Sequence, residues 1–246
     1  AGSYVARNLG IANANGQFIA FLDADDWWTA DCLEKLVAPL LSTDAVIAYC
    51  GWQNVGASDR SNDPYVPPDY EQGDKAEAFL RAASPWPIHA ALTRASEVRR
   101  VGGFDTNWRS CMDYDLWLRI GVAGRIVLVP EAMAFYRHKV SGQITSKQWV
   151  QAENTWKVKR KFVQEHPALV SHFAPAKLQQ LIDGTEQFDF EVRLLTAKGK
   201  TRWLRIRGIS ERDGSELVRV YGALQDVSAR KYAEQQLRER DERLRL

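Results

Sequence analysis

Cysteine is scarce in this 246-residue chain, with three (Cys32, Cys50 and Cys111), and methionine scarcer, with two. An odd number of cysteines without metal-like spacing points away from a disulfide scaffold and a structural zinc site, and towards a reducing compartment. Long apolar runs are missing as well. The longest, such as Phe18–Leu22, fall far short of the ~20 residues that cross a bilayer. No secretory leader is recognisable. Charge of one sign is also lacking: the net charge is +2, too mild to argue for a nucleic-acid partner. What is abundant is core-forming material, 45% hydrophobic with nine Trp, eight Tyr and nine Phe, which excludes wholesale disorder.

The mild net charge hides an asymmetry. Residues 1–150 carry 14 Lys/Arg and 17 Asp/Glu, and the rest carry 19 and 14, as two units of different origin would. The first part reads as alternating strands and helices, an α/β pattern. Ala6–Ala14 reads as a helix and Phe18–Leu22 as a buried parallel strand. Thr29 reads as the cap of a helix carrying Leu33, Leu36, Val37, Leu40 and Leu41, and Ala45–Cys50 as a further strand. Residues 56–74 read as a long loop, Asp74–Ala83 as a helix, Ile88–Leu92 as a strand and Gly102-Gly103 as a turn. Met112–Gly121 reads as a helix with Asp115 and Arg119 an i,i+4 pair. Ile126–Val129 and Met133–Tyr136 read as two short strands. Residues 151–182 form a helical linker. From 183 the period changes to two, giving strands from Phe188, from Thr201 and from Leu217, an antiparallel meander. A charged helix follows from Ser228, with Leu237 and Leu244 seven residues apart, a weak coiled-coil start that offers a homodimer interface.

The sharpest chemical feature is Asp23-Ala24-Asp25-Asp26, directly after the first apolar strand. Alternation puts Asp23 and Asp25 on one side, at a strand's carboxyl end where α/β sheets take ligands. Two carboxylates there suit Mg²⁺ or Mn²⁺, which also takes phosphate oxygens. A turn rich in helix-capping acids is the plainer reading. Ala6–Ala12, Gly16–Asp26, Gly102-Gly103-Phe104-Asp105, Met112–Arg119 and Ala134-Phe135-Tyr136-Arg137-His138 with Ser141 together resemble the family-2 glycosyltransferases. That resemblance implies a partial GT-A, Rossmann-like domain over 1–150, without the family's N-terminal base-binding third. It implies metal-dependent, inverting transfer from a nucleotide-sugar to a hydroxyl acceptor, a saccharide or lipid-linked saccharide, in the cytoplasm and at the inner membrane face for a lipid acceptor.

Carried over by position, Asp113 falls where the family has its catalytic base, although Met112 replaces the usual neighbouring Glu. Asp23 and Asp25 become diphosphate–metal residues, with Asp25 at the metal and His138 either a ligand beside it or a structural histidine. Arg7 and Asn8 shape the nucleotide pocket or serve helix polarity. Asp115 competes for the base role, and its i,i+4 partner Arg119 argues for an ion pair instead. His89 lines the acceptor side or packs within a strand. Trp27, Trp28 and Trp117 are core, unless one stacks on a sugar. Phe188–Leu194, Gly199–Leu204, Tyr221–Ser228 and Ala229–Leu237 resemble the end of a PAS/PAC sensor domain and its exit helix, over 183–246. Its Asp226 and Arg230 would sit at the signalling junction. The alternative function is therefore a PAS-type signal-transduction protein whose sugar-transferase part does not catalyse. The apolar face of Phe188, Phe190, Val192, Trp203, Ile206, Val218 and Val220 is expected to pack on the preceding helices or a partner.

Overall fold

The computed structural model describes residues 3–57, 61–82, 84–108, 110–138, 148–183, 187–196, 199–213, 216–234 and 236. They fall into two compact units divided between Ile182 and Asp183.

The first unit is α/β around a mixed sheet. Its elements are α1 (Ser3–Asn13), β1 (Phe18–Ala20), β2 (Trp27–Trp28), α2 (Cys32–Ser42), β3 (Ile47–Val55), β4 (Pro64–Tyr65), α3 (Lys75–Arg81), β5 (Ala91–Arg94), α4 (Ala95–Arg100), α5 (Met112–Gly121), β6 (Ile126–Arg137), α6 (Gln148–Glu165) and α7 (Pro175–Asp183). The strand order is β1-β5-β3-β6-β2, with β4 against β3. Among the described residues, only β3 and β6 pair in parallel.

Four expectations are corrected. β1 pairs antiparallel with β5, because a short, wholly apolar strand encodes burial and not the direction of its neighbour. β5 begins at Ala91 rather than Ile88, since Ala90 N–H turns back to the Pro87 carbonyl at 2.9 Å. Thr29 does not cap α2: its N–H extends the β2–β6 ladder to the Met133 carbonyl, and the cap position falls to Asp31. The two short strands expected around Pro130 are one, β6. The β3–β6 register steps from Cys50–Val129 to Gly51–Ala132, so Pro130 and Glu131 are left out of the ladder as a bulge. Gly51 makes that close approach feasible: a Cβ there would lie 3.1 Å from both the Glu131 carbonyl oxygen and the Ala132 Cα.

The core forms where α2 and α5 meet the sheet. Leu36 and Leu40 of α2 and Leu116, Trp117, Leu118 and Ile120 of α5 are fully buried. Leu33 and Leu41, read as part of the same stripe, face solvent. Beneath the sheet, Trp86 stacks on Tyr49 with ring centroids 4.3 Å apart and meets Tyr70, Phe79 and Trp117 at 5.6–5.8 Å. Arg94 donates to the Leu40, Thr43 and Ala45 carbonyls, a cation placed at the carboxyl end of α2. The helices of residues 148–183 belong to this unit, where Val158, Phe162 and Leu181 join its core.

The second unit is the expected antiparallel meander: β7 (Gln187–Leu195), β8 (Thr201–Asp213) and β9 (Glu216–Asp226), in that order. Gly199 turns the β7–β8 hairpin with φ +72°. Residues 228–234 are helical. Asp226 starts that helix by accepting from Ser228 N–H at 2.9 Å, and Ser228 Oγ accepts from Trp203 N–H at 2.9 Å. Glu191 of β7 receives both Arg230 and Lys231. Val192, Trp203 and Ile206 are partly buried. The side chains of Phe188, Phe190, Val218 and Val220, and Ser141, Leu237 and Leu244, lie outside the described residues.

Candidate functional site

Three segments converge near the acidic turn that follows β1. The turn contributes Asp23, α1 contributes Arg7, and the first turn of α5 contributes Asp113. Arg7 Nη2 donates to Asp23 Oδ1 at 2.6 Å, and its guanidinium lies 5.6 Å from the centre of the Phe104 ring. Asp113 is partly accessible, with Oδ1 accepting from Tyr114 N–H at 2.9 Å. Desolvation raises its carboxyl pKa and the Asp23 charge adds to that, while the Tyr114 N–H and Arg7 pull it down. A carboxylate whose pKa is raised towards neutrality is suited to taking a proton from a hydroxyl.

The entry into α5 aims Asp113. Cys111, just before the helix, is the one described non-glycine residue with positive φ, at 59°, a conformation that costs energy for an L-residue. It is held by α6, where Cys111 Sγ lies 3.3 Å from Thr155 Oγ1 and Asn154 Nδ2 donates to Ser110 Oγ at 2.6 Å. Asp115 does form the ion pair read from its spacing. Arg119 reaches Asp115 Oδ2 and also donates to the Val101 and Gly103 carbonyls at 2.7 and 2.9 Å. Asp115 is thereby committed to holding the Gly102-Gly103 turn against α5.

Asn8 has a similar duty. Its side chain donates to the Phe104 carbonyl at 2.8 Å and accepts from Phe104 N–H at 2.9 Å. It pins the turn, which leaves Arg7 as the residue of the pair that faces the acids. Asp25 is half-buried. His138 Nε2 lies 2.9 Å from Asn54 Oδ1. Among the described residues no three His, Cys, Asp or Glu side chains are grouped to hold a metal ion. The donor set available at the turn is Asp23 and Asp25. Two carboxylates fit a hard divalent cation that completes its shell with water and substrate phosphate oxygens.

Sequence reasoning gave Asp26 no role of its own and favoured a packed strand histidine at His89, which is packed but lies just before β5. Asp26 turns inward: Oδ1 accepts from Arg137 N–H at 2.9 Å, and Oδ2 approaches His89 Nδ1 to 3.1 Å without an aligned hydrogen bond. His89 is fully buried, and its carbonyl accepts from Trp28 Nε1 at 2.7 Å. Burial pushes Asp26 up to about 6, helped by Asp25 and Asp23 and opposed by the Arg137 N–H. Burial pushes His89 down to about 4, against the pull of Asp23 and Asp25.

These shifts oppose each other in stability. Between pH 4 and 6 the folded Asp26 keeps a proton that the unfolded chain has released, so its contribution is lost as pH rises. Over the same window the folded His89 lacks a proton that the unfolded chain holds, so its contribution is gained. The two cancel in the native chain. His89→Gln should uncover the Asp26 half, losing about 3 kcal/mol between pH 4 and 6 relative to the native chain. Urea denaturation at several pH values checks this, and parallel curves for the two proteins would refute it.

Comparison with known proteins bears on the family and the fold. Residues 1–96 match the profile of the family described as "Glycosyl transferase family 2". The Bacillus subtilis teichuronic acid biosynthesis glycosyltransferase TuaG is 29% identical over 67% of the chain, and the chain spans 64% of TuaG's length. The Escherichia coli UDP-Glc:alpha-D-GlcNAc-diphosphoundecaprenol beta-1,3-glucosyltransferase WfgD is 23% identical over 78% of the chain and 72% of its own length. A crystal structure of Staphylococcus aureus TarS 1–349 in complex with UDP-GlcNAc superposes with a TM-score of 0.53 at 18% identity, covering 74% of the chain and 51% of TarS. At that identity the likeness concerns the fold.

Proposed function

We propose that the first unit belongs to an inverting, metal-dependent glycosyltransferase that moves a sugar from a nucleotide-sugar to the hydroxyl of a saccharide or lipid-linked saccharide. The observation that carries the proposal is the convergence of Arg7, Asp23 and Asp113 from three separate segments, in a chain whose first 96 residues match family 2. Asp113 is the base. Its raised carboxyl accepts the proton of the attacking hydroxyl as the bond to the sugar forms. Arg7 holds Asp23 in place and opposes the rise of the Asp113 carboxyl. Asp23 and Asp25 are the residues that would hold Mn²⁺ or Mg²⁺ against the donor diphosphate. His138 would join Asp25 through Nδ1, with Nε2 held by Asn54 Oδ1. When bound, such a cation offsets negative charge on the departing nucleotide.

TarS was crystallised with UDP-GlcNAc, and the name of WfgD gives UDP-Glc as donor and a diphosphoundecaprenol-linked sugar as acceptor. These support a nucleotide-sugar donor and a lipid-linked acceptor for this chain. No helix among the described residues is long and apolar enough to cross a membrane. For the second unit, the meander and the Asp226-started helix support the PAS-type reading as a proposal of its own.

Calorimetric titration of UDP, dTDP and GDP, with and without Mn²⁺, tests the donor site. The expected result is Mn²⁺-dependent binding of one nucleotide, weakened at least tenfold in Asp25→Ala. Absence of binding under every condition would overturn the reading.

A further inference from the structure

Helix α6 grips the chain that leads into the base helix at both ends. At its start, Lys161 pairs with Asp105, and the Lys161 ammonium lies 5.8 Å from the centre of the Trp108 ring. At its end, Asn154 Nδ2 donates to Ser110 Oγ at 2.6 Å and Thr155 meets Cys111. Asn154, Thr155 and Lys161 share one face of α6 with Val158 and Phe162, whose burial fixes that face against the core. Ser110 and Thr155 are buried as well.

The grip on Cys111 is specific. With the thiol proton given to the Gln151 carbonyl at 3.6 Å, the Thr155 hydroxyl at 3.3 Å donates to the sulfur. These bonds hold a residue with φ 59° and ψ 21°, a left-handed conformation that an L-residue keeps only where its surroundings enforce it. Enforced strain of this kind collects at sites that need a preset geometry. Here it falls immediately before Met112 and Asp113, so the Cys111 dihedrals set the direction in which α5 starts and the place of its first-turn carboxylate.

We propose that Thr155, with Asn154, is a positioning residue for the base: through Cys111 and Ser110 it holds the first turn of α5 so that Asp113 stays beside Arg7 and Asp23. The proposal rests on the reading of Asp113 as the base of glycosyl transfer. Thr155 acts through Cys111 and takes no part in the proton transfer itself.

The test labels the full chain with carboxyl-¹³C aspartate and follows Asp113, assigned by its loss in Asp113→Asn, through a metal-free NMR titration. Native protein is compared with Thr155→Val, Thr155→Ser and Cys111→Gly. Thermal melts and hydrolysis of UDP-glucose with Mn²⁺ are measured on the same proteins. The native Asp113 should titrate above the ordinary carboxylate value. Thr155→Val removes the hydroxyl at near-equal shape, and Cys111→Gly removes the thiol and the strain together. Each should let the carboxyl reach water and lower its midpoint by about half a unit or more. Thr155→Ser, which keeps the hydroxyl, should titrate as the native chain does. Melting temperatures should stay close to native, and glycine fits the left-handed position without strain, which secures a folded variant beside Thr155→Val. In Thr155→Val and Cys111→Gly, kcat for hydrolysis should fall roughly tenfold with KM within about twofold, as misplacing a catalytic group does. Thr155→Ser should recover it. An ordinary midpoint in the native chain, or one unmoved in Thr155→Val and Cys111→Gly, overturns the proposal, because the α6 contacts would then serve stability alone. So does a midpoint that Thr155→Ser shifts as far as Thr155→Val. The titration needs no donor, so it decides the proposal in an inactive chain as well. Hydrolysis that survives Asp113→Asn overturns the base assignment, while shifted midpoints in the same proteins still support the positioning role.

Discussion

Asp113→Asn should lower glycosyl transfer by roughly 10²–10⁴-fold, the range general-base groups contribute, while leaving nucleotide affinity and thermal stability close to native. The substitution keeps the shape and the acceptor oxygen that receives Tyr114 N–H. It removes a charge that its surroundings disfavour, because desolvation raises this carboxyl's pKa. Stability therefore has no reason to fall. Asp115→Asn is the contrasting variant. It breaks a nearly buried pair with Arg119 and frees the turn that Arg119 holds through the Val101 and Gly103 carbonyls. Its loss should appear in the melting temperature, since stranding one partner of a buried pair costs about 3–5 kcal/mol. Initial rates beside melting curves separate the two. If Asp113→Asn keeps its rate and Asp115→Asn loses rate without losing stability, the base has been assigned to the wrong carboxylate.

Trp86→Ala should destabilise the first unit by about 3–5 kcal/mol, the largest stability effect expected from one core substitution. Trp86 is fully buried and touches four other aromatic rings, so truncation leaves a cavity those rings cannot close without leaving their own partners. Trp86→Phe should cost under about 1.5 kcal/mol, as near-conserved volumes do. It also removes a buried indole N–H that has no partner among the described residues. Urea titration followed by near-ultraviolet circular dichroism measures both. Equal losses for Ala and Phe would show that the indole edge, not the cavity, sets the cost. The effect reaches the site, because Trp86 leads through Pro87 and Ile88 to His89, which backs Asp26.

The residues that announced themselves in the sequence are those with local signals. The Asp23–Asp26 turn follows an apolar strand, Asp115 and Arg119 share a helical spacing, and Gly102-Gly103 marks a turn in which both residues adopt positive φ. The meander was legible from its period of two. Strand direction was not: β1 is apolar on both faces, and nothing in Phe18-Ile19-Ala20 distinguishes a parallel from an antiparallel neighbour. The Asp26–His89 approach and the Cys111–Thr155 contact join residues 63 and 44 positions apart. Only tertiary pairing brings them together, so no spacing rule could reveal them. Asn8 shows a third case. Its motif was legible and its use was not, because one asparagine serves a ligand or a turn equally well until its Phe104 partner is seen.

The parallel pairing of β3 with β6 also carries a kinetic consequence. Ile47 meets Ile126, so zipping this pair requires closing a loop of about 80 residues before any ladder bond compensates the lost chain entropy. Local pieces such as α2 or the β7–β8 hairpin form without that delay. The clamp on Asp26 belongs to the slow class, because the N–H it receives sits at the far end of β6, at Arg137. During refolding, the acidic turn is expected to gain its fixed geometry only in the last phase, after most of the helix signal has returned.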